Sequence, residues 1–387
     1  MSKIVLKSGK EDSIKRFHPW VFSGAINFKE EIPDGEVVEV YSSSREYLGT
    51  GMYNSGTIAV RIYSNEKTNL DEDFWVAKIQ RAYNYRKNLG LIDNTQTNAY
   101  RLIHAEGDNL PGLIVDIYND TAVMQAHTTG VHKYREEIAK AIYKVYQGKV
   151  TTVFDKSEKT LHKSEISSNS YLIGEPKKEC IVKENGHQFV INWEEGQKTG
   201  FFLDQRDNRK LLGEYSKDRS VLNTFCYTGG FSVYALNSGA THVDSVDASK
   251  KAIELTDKNI ELNNFTENHN SYSEDVFNFF KNHEMSYDII VLDPPAFAKH
   301  KSARHSAIMG YKRLNTEAMK RIKPNGILFT FSCSQVVDKY LFDSTIMSAA
   351  IQAGRSVKVM HHLSQPADHP VSIFHTEGEY LKGLVLY

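Results

Sequence analysis

From about residue 181 onward, short apolar runs alternate with longer amphipathic stretches. In that alternation the strand candidates are 220–225, 242–246, 269–273 (polar in composition), 287–292 and 326–331, with weaker ones at 356–363 and 383–386. Between them, residues 249–263 carry Ala252, Ile253, Leu255, Ile260 and Leu262 as an apolar stripe at helical spacing. Strand–helix alternation of this kind predicts a parallel sheet with helices on both faces. The chain before it reads differently. Runs at 36–41 and 58–63 alternate apolar and polar residues, punctuated by Gly and Ser, so residues 1–68 predict a small β-rich unit. Residues 71–89 predict a helix on Phe74, Ile79, Ala82, Tyr83, Tyr85 and Leu89, with Gly90 as its stop. A hairpin over 113–118 and 121–126 turns at Asn119-Asp120, followed by a helix over 133–146 and a strand over 150–154. The fold class is therefore α/β in three parts: residues 1–68, residues 69–180 with a linker helix and a small α/β unit, and residues 181–387.

Ligands of open α/β sheets bind beyond the carboxyl ends of the strands, near the point where strand order reverses. Each of the first five strands ends in candidate chemistry: Cys226-Tyr227-Thr228-Gly229-Gly230-Phe231, then Asp247, Asp275, Asp293-Pro294-Pro295 and Ser332-Cys333-Ser334. Gly229-Gly230 permit a tight turn and close approach of a ligand to the backbone. A carboxylate at Asp247 can accept from both ribose hydroxyls of a nucleoside, or cap the helix starting near Ser249, or do both. The turn is not G-x-G-x-x-G, which serves to hold a pyrophosphate. That counts against a nicotinamide dehydrogenase and fits S-adenosylmethionine, a nucleoside cofactor without phosphates.

In Asp293-Pro294-Pro295-Ala296-Phe297, two prolines fix the backbone just past a buried strand. Such a floor suits a planar base stacked on Phe297, with a rigid structural turn as the plainer reading. Cys333 follows an apolar strand but lies beyond its end, between two serines. That is where an activated thiolate would sit, although a free Cys is often only a small buried hydrophobe. Residues 196–206, containing Gln197, Phe202, Asp204 and Arg206, mix glycines, adjacent aromatics and charges. A loop and helix start closing over the cofactor would explain them, as would a surface connection.

Composition narrows the classes. In 387 residues, hydrophobic positions make up 40% and charged ones 25%, enough for a large core. Three widely spaced Cys argue against a disulfide framework or a Cys-cluster metal site, so no metal is expected, and they favour a reducing cytoplasm. No signal peptide, membrane span or membrane association is expected. With a net charge of −1, nucleic-acid binding would depend on local patches. Lys299-His300-Lys301, Arg304, Lys312-Arg313 and Lys320-Arg321 are candidates, although solvated helix faces use the same residues.

Residues 181–387 resemble a Rossmann-like, seven-stranded class I S-adenosylmethionine methyltransferase domain. The full chain resembles the bacterial ribosomal RNA large-subunit methyltransferase I family, which makes 5-methylcytosine. His18-Pro19-Trp20-Val21-Phe22-Ser23-Gly24-Ala25-Ile26 is similar to the start of that family's PUA domain, an RNA-binding barrel. Gly107-Asp108-Asn109-Leu110-Pro111-Gly112-Leu113 is similar to its central α/β domain. Gly200 to Arg206, Asn223 to Phe231, Asp293-Pro294-Pro295 and Asp368-His369-Pro370 match it too. The resemblance implies cofactor contacts from Gln197, Phe202, Asp204, Arg206, Thr224, Phe225, Cys226, Tyr227, Thr228, Gly229, Gly230, Phe231, Asp247, Ala248, Ser249, Asp275, Val276, Asp293 and Pro294. It implies substrate contacts from Pro295, Phe297, Lys299 and Lys301, a Cys333 nucleophile, and an Asp293 that orients the base. The RNA would be large-subunit ribosomal RNA, and a homodimer is compatible with the pattern. Many RNA 5-methylcytosine enzymes carry a second Cys where this chain has Ala296, so the general base and the product-release group stay unassigned.

Two other readings fit the same residues. A methyltransferase acting on a ring nitrogen or exocyclic amine would need no thiolate, leaving Cys333 dispensable. A non-catalytic RNA-binding or ribosome-assembly protein would not need the acids after strands two, three and four.

Overall fold

The computed structural model describes residues 1–161, 168–177, 179–298 and 300–387, arranged as two compact units. The first comprises Met1–Val182, Ile191–Leu203 and Ala367–Gly378. It holds a six-stranded sheet in the order Trp20–Phe22, Ile58–Ser64, Tyr47–Tyr53, Val37–Tyr41, Ser2–Leu6, Ile26–Lys29, over a core that includes Ile4, Val38, Val40 and Val60. This is the PUA-like β unit. A five-stranded sheet, Ser170–Ile173, Thr152–Asp155, Thr121–Ala126, Leu113–Tyr118, Ala99–His104, follows in the same unit. The two sheets share apolar packing. Met52 and Tyr63 of the first belong to the same core as Trp75, Ile138 and Val153, and the Tyr63 hydroxyl donates to the Pro111 carbonyl at 2.6 Å.

The linker helix spans Glu72–Asn88, with Asp71 accepting from the Phe74 N–H as its cap and Gly90 left-handed just beyond its end. Its buried face differs from the expected stripe. Trp75, Ile79, Ala82 and Arg86 face inward, while Tyr85 and Leu89 are exposed. Arg86 can be buried because both of its terminal nitrogens pair with Asp108 and it also donates to the carbonyls of Arg101 and Asp368. Two sequence motifs thus meet in one structural lock. Gly107 is glycine for the same reason: a Cβ there would stand 1.9 Å from the Pro370 carbonyl oxygen. The helix expected at 133–146 is Thr129–Lys133 followed by Arg135–Tyr146, broken at Tyr134.

The second unit comprises Lys183–Val190, Asp204–Pro366 and Glu379–Tyr387. Its main sheet has seven strands among the described residues: β1 (Ser220–Thr224), β2 (His242–Asp247), β3 (His269–Ser273), β4 (Tyr287–Leu292), β5 (Ile322–Ser332), β6 (Val359–Leu363) and β7 (Lys382–Leu386). Their order is β3-β2-β1-β4-β5-β7-β6. The first five are parallel and β7 runs antiparallel between β5 and β6. Helices α1 (Arg206–Ser216), α2 (Gly230–Asn237), α3 (Lys250–Leu262), α4 (Val276–Asn282), α5 (Arg304–Arg321) and α6 (Lys339–Ala353) connect them. β1 and β4 are neighbours, so strand order reverses between them. Any ligand of this sheet is expected at their carboxyl ends.

Candidate active site at the carboxyl edge of the parallel sheet

The loop leaving β1 is held in a strained path. Phe225 and Tyr227 both adopt left-handed backbone, with φ of 55° and 49°, as does Gly229 at 74°. For an aromatic side chain this conformation is costly and persists only where surroundings impose it. Here the surroundings are polar groups of α3. The Thr256 hydroxyl donates to the Tyr227 carbonyl at 3.0 Å, and the Asn259 amide donates to the Thr228 carbonyl at 2.8 Å. Gly229 precedes α2, and a Cβ there would sit 2.7 Å from Thr256. Thr224 and Cys226 are buried, and the Thr224 hydroxyl donates to the Val291 carbonyl at 2.7 Å, stitching β1 to β4 at the reversal. Burial pushes the Cys226 thiol far up, so it is a packing residue. Phe231 packs its ring toward Phe331, with centroids 5.8 Å apart.

Asp247, at the end of β2, binds the same loop. One carboxylate oxygen accepts from the Tyr227 N–H at 3.1 Å, the other from the Ser249 N–H at 2.8 Å. The N-cap of α3 is Ser249, not Asp247. Ala248 between them is exposed. Asp275 caps α4, one oxygen accepting from the Phe277 and Asn278 N–H groups at 2.9 and 3.2 Å; Val276 behind it is buried. Strands β2 and β3 are paired in register to their ends, so these carboxylates stand on adjacent strands. These two acceptors suit the hydroxyls of a ribose and the amine of an adenine edge rather than a phosphate.

The loops after β4 and β5 form one tied structure. Asp293 is half-buried, Pro294 buried, Pro295 exposed, Ala296 and Phe297 half-buried. The Ser334 hydroxyl accepts from the Ala298 N–H and donates to the Ala298 carbonyl, bracing the two loops. Cys333, half-buried, is the residue before that brace. Tyr311 of α5 closes the arrangement: its hydroxyl donates to Ser334 at 3.5 Å, and burial raises its pKa and keeps it neutral. The Phe297 ring leans on Tyr311 at 4.6 Å, 42° from parallel, so part of the surface expected to stack a base is engaged within the protein.

Four expected residues belong to the segment before β1. Gln197 and Phe202 fall in the first unit, where the Gln197 carbonyl accepts from the Gly200 N–H and the Lys198 ammonium lies 4.7 Å from the Phe202 ring centre. Asp204 and Arg206 fall in the second unit and are buried; the Tyr380 hydroxyl donates to Asp204 at 2.7 Å. Lys299 lies outside the described residues. Lys301 is exposed at the start of the turn into α5. Among the other basic residues expected to meet phosphates, Lys320 and Arg321 pair with Glu317, and Arg313 stacks over Phe277 at 4.5 Å. Thr256, Asn259, Tyr311 and Lys382 were not singled out from sequence, and Ser334 was named only as a neighbour of Cys333. Only Thr256 and Asn259 carried a local signal, as polar residues on the stripe of α3 that faces inward.

Comparisons with known proteins bear on the family and the fold. Residues 147–376 match the S-adenosylmethionine-dependent methyltransferase family, and residues 4–65 match a PUA-like domain. Proteins named ribosomal RNA large subunit methyltransferase I from Alteromonas mediterranea, Tolumonas auensis and Shewanella frigidimarina are 37%, 39% and 40% identical to the chain. Each alignment covers 99% of this chain and 98% of the relative. A solved structure described as a methyltransferase complexed with SAH superposes with a TM-score of 0.87 at 27% identity, covering 100% of both chains. One described as a SAM-dependent methyltransferase from Streptococcus mutans gives 0.86 at 26%, again over 100% of both.

Proposed function

The chain belongs to the ribosomal RNA large subunit methyltransferase I family, and from that membership we propose that it methylates carbon 5 of a cytosine in large-subunit ribosomal RNA. The cofactor is S-adenosylmethionine, which supplies an electrophilic methyl on a sulfonium. The residues proposed to hold it are the 224–231 loop, Asp247 to Ser249, Asp275, Val276, Asp293 and Pro294, joined by Asp204 and Arg206. What fits the group is the pair of carboxylates, Asp247 and Asp275, at the ends of adjacent strands beside the left-handed turn at Gly229.

Carbon 5 of cytosine is too weak a nucleophile to take a methyl unaided. In the proposed route the Cys333 thiolate adds to carbon 6, and carbon 5 acquires enamine character. Carbon 5 then takes the methyl. A base removes the proton on carbon 5, and the carbon–sulfur bond breaks to return the thiolate. Asp293 and Pro295 would orient the ring, with Phe297 at its edge and Lys301 toward the phosphates. The observation that carries this reading is the half-buried Cys333 at the end of β5, braced through Ser334 to the loop after β4.

RNA recognition is proposed for the first unit. Phe17 and Phe374 are both more than half exposed, with ring centres 5.3 Å apart, and they line a cleft with Lys78 and the exposed Arg81. Aromatic faces beside cations suit unstacked bases on a phosphate backbone. The proposal includes a cytoplasmic location, where ribosomes are assembled. Nucleoside mass spectrometry of ribosomal RNA from cells with and without the gene tests the reaction. Loss of one 5-methylcytidine supports it; loss of an N-methylated base instead overturns it.

A further inference from the structure

Lys382 opens β7 directly across from Ser332, the last residue of β5. It is only 7% exposed. Its ammonium donates to the Ser334 carbonyl at 2.9 Å in a buried setting. Among the described residues no carboxylate lies within ion-pair distance of it. A buried ammonium with one peptide carbonyl is poorly compensated, because taking a charge from water is repaid only by a close opposite charge or several hydrogen bonds. The residues on either side of the carbonyl's own peptide chain are informative here. Ser332 and Ser334 flank Cys333, so the cation is held against the backbone on which that thiol is mounted.

The charges that face this ammonium are few. Burial lowers its pKa, and the groups opposing that effect are, in order, Cys333, Glu379 and Asp338. Asp338 also stands 3.8 Å from Arg304, which draws part of its charge elsewhere. Cys333 also interacts with Tyr311, which burial keeps neutral. A neutral phenol offers a thiolate a hydrogen-bond donor at most. Among the described groups shown to interact with Cys333, Lys382 carries a full positive charge.

We propose that Lys382 is the positioning residue of the nucleophile: its ammonium fixes the loop after β5 through the Ser334 carbonyl and stabilises Cys333 as the thiolate. This rests on the reading of Cys333 as nucleophile. It supplies what that reading lacks, an origin for the thiolate in a place where burial alone would favour the thiol. No proton has to move during the addition step, since the sulfur already carries the electron pair that forms the bond to carbon 6. When the carbon–sulfur bond breaks, the same ammonium receives the returning negative charge.

The test is alkylation of Cys333 by iodoacetamide in the full-length protein, followed peptide by peptide by mass spectrometry from about pH 6 to about pH 10. Wild-type Cys333 should react with a midpoint below that of an ordinary thiol, about 8.5. Lys382→Met should move the midpoint upward by about one pH unit or more, and Lys382→Arg should restore it. Methyl transfer by Lys382→Met should be slow at neutral pH and recover as pH rises, which a purely structural lysine would not produce. If Lys382→Met does not fold, the wild-type midpoint decides: a value at or above that of an ordinary thiol overturns the proposal. An unchanged midpoint in folded Lys382→Met overturns it whatever RNA trapping shows. A raised midpoint combined with turnover by Cys333→Ala overturns the nucleophile reading and leaves the charge relationship standing.

Discussion

The Ser334 side chain satisfies both backbone groups of Ala298, accepting from its N–H at 3.3 Å and donating to its carbonyl at 3.1 Å. One hydroxyl thereby couples the loop that carries Asp293 to the loop that carries Cys333. Catalysis between two loops requires that their spacing be fixed to a fraction of an ångström.

Ser334→Ala should therefore cost about 1–3 kcal/mol of stability, the desolvation penalty of two buried backbone groups left without partners. It should also slow methyl transfer more than it weakens S-adenosylhomocysteine binding. Thermal melts and single-turnover rates read the two effects. A variant with wild-type turnover would show that the brace is structural only.

Asp247→Ala should weaken cofactor binding roughly 10- to 100-fold, since charge-assisted hydrogen bonds contribute about 1.5–3 kcal/mol. The same carboxylate holds the Tyr227 and Ser249 N–H groups, so part of the loss would come through the loop. Asp247→Asn keeps the shape and removes the charge. Calorimetric titration with S-adenosylhomocysteine checks both. Undiminished affinity in folded variants would leave Asp247 as a loop clamp alone.

For RNA binding, point substitutions are better than truncation. Deleting residues 1–68 would strip Met52 and Tyr63 from a core they share with Trp75 and Ile138. A Phe17→Ala/Arg81→Glu protein should lose about tenfold or more in RNA affinity, given roughly 1–3 kcal/mol per stacked base, and keep its cofactor affinity. Fluorescence anisotropy at fixed salt measures this. Equal RNA affinity in the double variant would remove the cleft from the account.

How far the sequence announced these features depends on whether the signal was local. The strands β1 and β4 were legible as short, largely apolar runs, whereas β3, His269-Asn270-Ser271-Tyr272-Ser273, was legible only from its place in the strand–helix alternation. The start of β5 was not: Pro324-Asn325-Gly326 reads as a turn, yet Ile322 pairs with Tyr287 before the register shifts and pairing resumes at Ile327. The linker helix was legible in extent but not in its buried face, because Arg86 is carried inward by Asp108, a partner remote in sequence. In the candidate site, the acids and the thiol at the strand ends stood out. Tyr311, Lys382 and the bracing role of Ser334 did not, because their partners are brought to them only by tertiary packing around β5. The strain at Phe225 and Tyr227 had no glycine to announce it.

Acid should destabilise the second unit through His269. Burial, the largest cause, lowers its pKa to about 4, with Asp257 and Asp244 opposing. The unfolded chain takes up a proton that the folded chain refuses, so this contribution is full above about pH 6.5 and is lost as pH falls toward 4. It amounts to on the order of 2–3 kcal/mol. His269→Asn should melt with a smaller drop between neutral and mildly acidic pH than wild type does. Parallel pH dependences for the two proteins would rule this assignment out.

The most direct test of the account is covalent capture of Cys333. RNA carrying 5-fluorocytosine at the target cannot lose its carbon-5 substituent as a proton, so the adduct should persist after methyl transfer. The account predicts a protein–RNA species stable to denaturation, mapped by peptide mass spectrometry to Cys333. It also predicts that Cys333→Ala forms no such species and transfers no methyl, with cofactor affinity and melting temperature close to wild type. Substantial turnover by Cys333→Ala, or no adduct on an RNA that the wild-type enzyme demonstrably methylates, would contradict it and transfer the reaction to a ring nitrogen or exocyclic amine.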